Sequence, residues 1–156
     1  MSCFAVPIGR MAPRSFIETD KARARASFAT SQSYSVVPLK RVGDAPGANA
    51  MAPVGTINLL CAVSVPLSEE AALEALSIAV EARTAAVLEA RHPSRRSGAP
   101  ATGTGTDCVV LAWPEPVAPP AVFAGKHTAL GHVIGRAVGD CVRAGVADWL
   151  EAQACR

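Results

Sequence analysis

The chain predicts a mixed sheet with helices packed on it, of the α/β or α+β class, and three observations lead there. Residues 54–65 are almost continuously apolar and rich in β-branched side chains, the pattern of a central strand. Residues 68–90 place Leu73, Leu76, Val80, Val87 and Leu88 at helical spacing behind a Ser68 cap. A second apolar run, residues 108–113, is followed by a helical stretch starting near Lys126 and reaching about Ala152. Strand, helix, strand, helix is the order of a crossover unit, so a parallel pair inside a mixed sheet is expected.

The elements before this core are weaker. Residues 25–30 read as a strand, and residues 34–42 as an edge or bulged strand because Pro38 cannot donate to a ladder. The cluster Gly43-Asp-Ala-Pro-Gly-Ala-Asn49 marks a loop. Glu69 and Glu70 complement the positive end of the first helix, and Leu67 is placed to staple it. Pro114, Pro116, Pro119 and Pro120 stiffen the link to the last helix. In that helix Gly131, Gly135 and Gly139 share one stripe, so close packing against a sheet is expected there, with a flat ligand as the alternative.

Composition limits the function. At 156 residues the chain suits one domain. A net charge of +2 argues for neither nucleic acid nor membrane as partner. The basic residues crowd the N-terminus, where Arg10, Arg14, Lys21, Arg23, Arg25, Lys40 and Arg41 face only Glu18 and Asp20, yet neither an apolar nor an amphipathic leader pattern accompanies them. The five cysteines form no Cys-x-x-Cys pair and point to reduced thiols in a cytoplasmic protein, with Cys61, Cys108 and Cys141 as small core residues. No apolar run approaches the ~20 residues of a membrane-spanning helix.

Chemistry-bearing residues concentrate in two loops, Ala101-Thr-Gly-Thr-Gly-Thr-Asp107 and Gly125-Lys-His-Thr128. Neither is a nucleotide motif: the second lacks the first glycine of a phosphate-binding loop, and the first precedes its strand instead of following it. His127 and His132, five apart, diverge by about 140° on a helix, so no protein-bound metal is expected. Acid–base chemistry at a helix start remains. Lys126, His127 and Thr128 are expected in the first turn of the last helix, where unpaired amides face outward. His127 and Asp107 are candidates for proton transfer, and Lys126 with the amides for an oxyanion, each such donor contributing roughly 3–4 kcal/mol in acyl transfer. Thr102, Thr104, Thr106 and Thr128 are candidate substrate ligands, with a tight self-bonded turn as the competing reading of the Thr/Gly run. Glu81 reads first as a solvated carboxylate beside Arg83.

These two loops, with Gly55-Thr-Ile-Asn58, Glu81-Ala-Arg83, Leu130-Gly131 and Ile134-Gly135, resemble the adenosylcobinamide amidohydrolase family over roughly residues 42–142. The resemblance implies hydrolysis of the amide that joins the corrin ring's propionyl side chain to the aminopropanol arm, releasing adenosylcobyric acid for corrinoid salvage. Cobalt would then enter only with the substrate, and no separate cofactor is expected. Asn58 joins the substrate-binding candidates, and Glu81 is the reserve general base. Val80-Glu-Ala-Arg83 departs from the family's Thr-Glu-Ala-Lys by losing a hydroxyl and exchanging an ammonium for a guanidinium. Residues 1–41 do not match the family's N-terminal region and are expected to be atypical and weakly ordered, leaving 42–156 as the amidohydrolase-like domain. A non-catalytic corrinoid-binding remnant is the main alternative, and an unrelated enzyme or nucleotide-binding module is the third reading. An uncovered sheet edge would favour self-association into a homo-oligomer.

Overall fold

The computed structural model describes residues 17–18, 24–30, 41–43, 56–116 and 119–154. Its elements run β1 (Ile17–Glu18), β2 (Ala24–Thr30), β3 (Ile57–Val63), α1 (Glu69–Glu89), β4 (Cys108–Ala112) and α2 (Ala129–Ala154). The sheet order is β1-β2-β3-β4. β1, β2 and β3 pair antiparallel, whereas β3 and β4 pair parallel, from Asn58 opposite Cys108 to Ala62 opposite Ala112. The mixed α/β architecture is thus present, with α1 as the crossover between the parallel strands. β2 is laid along the whole of β3, from Ala24 opposite Val63 to Thr30 opposite Ile57. The expected strand over residues 34–42 lies outside the described residues except for 41–43, where Val42 and Gly43 form a turn.

β3 is central in position but is not enclosed to the same depth on its two faces. Ile57, Leu59, Cys61 and Val63 are buried, while Asn58, Leu60 and Ala62 are half-buried. In β4, Val109 and Leu111 turn toward the core and Cys108, Val110 and Ala112 are exposed. Cys108 is therefore a surface thiol and not the core residue expected, because it falls on the outward phase of a strand with period two. Cys61 and Cys141 are buried as expected. Burial, with Cys141 nearby, pushes the Cys61 thiol from 9.0 up to about 12.

The ends of α1 follow local rules. Ser68 caps the helix by accepting the Ala71 amide at 3.2 Å, and Glu69 and Glu70 fill the first turn. Its buried stripe shares Val87 with the larger aliphatics but otherwise follows smaller residues, with Leu76 and Leu88 half-buried. Ala71, Ala75, Ile78, Ala79, Ala86 and Val87 are buried, whereas Leu73 is 70% and Val80 is 39% exposed. The physical reason is close approach, since α1 lies against α2 and Gly135 faces the Ile78 methyl. Alanine and glycine surfaces allow two backbones to come together where leucines would hold them apart.

The last helix begins at Ala129, so Lys126, His127 and Thr128 precede it instead of forming its first turn. Thr128 is the cap: its Oγ1 accepts the Gly131 amide at 2.9 Å and donates to the Gly125 carbonyl at 2.8 Å. A β-position side chain on Gly131 would collide with the carbonyls of Ala124 and Gly125. Within the glycine stripe, Gly131 meets this loop, Gly135 meets Ile78 of α1, and Gly139 meets the Arg143 guanidinium of its own helix. From α2, Ile134, Val138, Val142 and Trp149 are buried in the core.

Enlarging the alanine stripe should overpack the helix interface: Ala79→Leu is expected to destabilise by about 1–3 kcal/mol in urea unfolding, while Leu73→Ala stays within about 0.5 kcal/mol. Because the folded state holds the Cys61 thiol neutral, stability is complete below pH 9.0 and declines as pH rises toward 12, where the unfolded chain ionises and the folded one resists. The alkaline decline in urea midpoint should be shallower in Cys61→Val.

Candidate active site

The two polar loops are gathered around α1, one along each border of its buried stripe. At about 100° per residue, Glu74 and Glu81 fall on the same side of the helix, and Arg83 lies about 160° from Glu81. The first loop meets Arg83 and the second meets Glu74 and Glu81.

The first loop wraps around the carboxylate of Asp107. Oδ2 accepts from Arg83 Nη1 at 2.7 Å and from the Thr104 amide at 2.9 Å. Oδ1 accepts from the Ile57 amide at 3.1 Å and from the Thr104 hydroxyl. Both side chains of the ion pair are close to nine-tenths buried, at 11% and 10% exposure. The carboxylate thereby ties α1, the start of β3 and the turn before β4 to one point. Gly103 is required here by space, since a β-carbon would occupy the position of Asp107 Oδ2. Two further hydrogen bonds tie this run to other segments. Thr102 is buried and its Oγ1 accepts the Val42 amide at 2.7 Å, and the Thr56 hydroxyl donates to the Thr106 carbonyl. The Thr/Gly run is thus bonded internally through Thr104 and Asp107, and outward to Val42, Thr56, Ile57 and Arg83. Asn58 stands next to it on the half-buried face of β3, between Ala29 and Cys108.

The second loop runs from Ala121, which exchanges backbone hydrogen bonds with the segment before α1. The Ala124 amide donates to Glu74 Oε2 at 2.7 Å. Lys126 Nζ reaches Glu81 Oε1 at 2.5 Å, an exposed pair that adds little stability but links loop and helix. His127 is exposed, and its ring stands 6.3 Å from that of Phe123. With Thr128 capping Gly131, the amides of Ala129 and Leu130 remain at the open end of α2 with no intrahelical acceptor.

Asp107 and His127, expected to face each other, are not joined: Asp107 is engaged by Arg83, Thr104 and Ile57 on one border of α1, and His127 sits with Phe123 on the loop that meets the other. Glu81 and Lys126 are brought together, though Glu81 pairs with the lysine and not with Arg83. Sequence reasoning missed the Arg83–Asp107 pair and Glu74. Arg83 did carry a signal, because a lone cation four residues from Ala79 and Val87 on an apolar stripe needs a carboxylate partner. Glu74 carried none, as its partner is a backbone amide. Among the described residues no group of three or more His, Cys, Asp or Glu side chains is arranged to hold a metal ion, and no helix is long and apolar enough to cross a membrane.

A mixed sheet with a helical crossover, carrying a buried carboxylate turn and a lysine–histidine loop just before a helix start, defines a protein of the mixed α/β class. A family model described as adenosylcobinamide amidohydrolase matches residues 14–154, and the chain belongs to that family. Comparison with curated proteins and with solved structures returned no match.

Removing one partner of the buried pair leaves an uncompensated charge, so Asp107→Ala should destabilise by about 3–5 kcal/mol in denaturant unfolding. The combined Arg83→Met and Asp107→Leu variant should recover much of that loss.

Proposed function

We propose that the chain hydrolyses the amide linking the aminopropanol arm to the corrin ring of adenosylcobinamide or a related corrinoid. The products are adenosylcobyric acid and aminopropanol, which places the reaction in corrinoid salvage. The observation that carries this reading is the family match, which spans both polar loops and the helix between them. Cobalt is part of the substrate in this reading and needs no protein ligand.

The loop over residues 121–128 supplies the reacting groups. His127 takes a proton from the attacking water and returns it to the departing amine, as a positioned imidazole does in acyl transfer. Lys126 and the free amides of Ala129 and Leu130 stabilise the oxyanion. Glu81 holds the Lys126 ammonium and stands as the reserve base. Exposed Val122 and Phe123 offer apolar surface beside His127 to the edge of a macrocycle. Asn58 and Thr106 are assigned to the peripheral amides of the corrin, with Thr102, Thr104 and Thr128 supporting their loops from within. Asp107 was the other candidate for proton transfer. With four donors on its two oxygens, it serves here by shaping the Thr/Gly turn.

The test is release of aminopropanol from adenosylcobinamide by the purified chain. His127→Ala should lower the rate by about 10²–10⁴-fold without loss of folding. Corrinoid binding seen calorimetrically with no product at any enzyme concentration would favour the non-catalytic remnant instead.

A further inference from the structure

Glu74 belongs to none of the sequence motifs, yet its carboxylate stands at the centre of the second loop. Oε2 accepts the Ala124 amide at 2.7 Å, and the carboxylate has no other hydrogen bond or ion pair among the described residues. A β-carbon on Gly125 would lie 3.1 Å from both Nδ1 and Cε1 of His127 and 3.6 Å from Glu74 Oε2. Carboxylate and imidazole therefore both lie within 4 Å of one point, the empty side-chain position of Gly125. The Nδ1–Cε1 edge of His127 is the edge turned toward it. Glycine at 125 keeps the space between the two groups open, and a methyl group there would press on the ring.

The loop is also gripped from beneath, because Gly131 admits the carbonyls of Ala124 and Gly125 against the start of α2. Glu74 completes the grip from the side of α1. A negative charge on the Nδ1 side of a neutral imidazole favours the tautomer with its proton on Nδ1, which leaves the Nε2 lone pair available as base.

We propose that Glu74 is the positioning carboxylate of His127: it fixes the loop through the Ala124 amide and sets the imidazole tautomer through its charge. This rests on His127 being the base in the reading above, and it acts through His127 without touching substrate.

Glu74→Gln keeps an oxygen for the Ala124 amide and removes the charge. In ¹⁵N-labelled protein, the ring nitrogens of His127 should report a shift in population from the Nδ1–H toward the Nε2–H tautomer. With adenosylcobinamide, kcat should fall about 10–100-fold while KM stays within about twofold, and Glu74→Asp should recover part of the loss. Gly125→Ala, which leaves Glu74 intact but drives a methyl between the groups, should perturb the same ring signals and serves if Glu74→Gln does not fold. Unchanged ring signals in a folded Glu74→Gln variant, or an unchanged kcat, overturn the assignment. Ring signals that respond in a protein releasing no aminopropanol uphold the positioning role and remove the hydrolase reading instead.

Discussion

A guanidinium and a carboxylate held 2.7 Å apart under the sheet edge are the contact from which the rest of the molecule takes its shape. Taking either charge out of water alone would cost several kcal/mol, so each requires the other and both require further hydrogen bonds. Asp107 meets that demand by drawing in the Ile57 and Thr104 amides and the Thr104 hydroxyl. Three segments far apart in sequence are thereby fixed together: the middle of α1, the start of β3, and the turn leading into β4. The parallel register of β3 and β4 begins immediately beyond this point, with Asn58 opposite Cys108.

The same contact separates two kinds of chemistry. Arg83 neutralises Asp107 on one border of α1, and Lys126 and Glu81 pair on the other. The loop bearing His127 therefore lies beside Glu74 and Glu81, and the carboxylate of greatest apparent promise in the sequence is spent on the fold. Lys126 and His127 are left on an exposed loop, open to solvent. The loop gains its definition from contacts that involve backbone: the Ala124 amide on Glu74, the Thr128 cap, and the close passage over Gly131.

Much of the architecture was legible in the residues. Ser68 and the two glutamates after it mark the start of α1, and the apolar runs around Leu59 and Val110 mark the parallel strands. Failures came where size mattered more than hydrophobicity. Leu73 and Val80 are better apolar residues than Ala75 and Ala79, yet they face outward because the covered face of α1 is the alanine-rich stripe that also carries Ile78 and Val87. Cys108 is exposed although it lies in an apolar run, because such a run does not disclose which of its two phases is covered. Thr128 was placed one turn too deep, since a capping threonine and a first-turn threonine look alike until its partner amide is known.

By itself the sequence determined the order of β3, α1, β4 and α2, the mixed sheet with its helical crossover, and the two loops in which the polar residues are concentrated. These depend on periodicity, capping and turn preference, which act over a few neighbouring residues. Only the tertiary structure decided which charges pair: Asp107 with Arg83 across 24 positions, Lys126 with Glu81 across 45, and the Ala124 amide with Glu74 across 50. Such pairings depend on which face of α1 each loop meets. That follows from how closely the alanine stripe lets α2 approach, a property of packed volumes that no local pattern encodes.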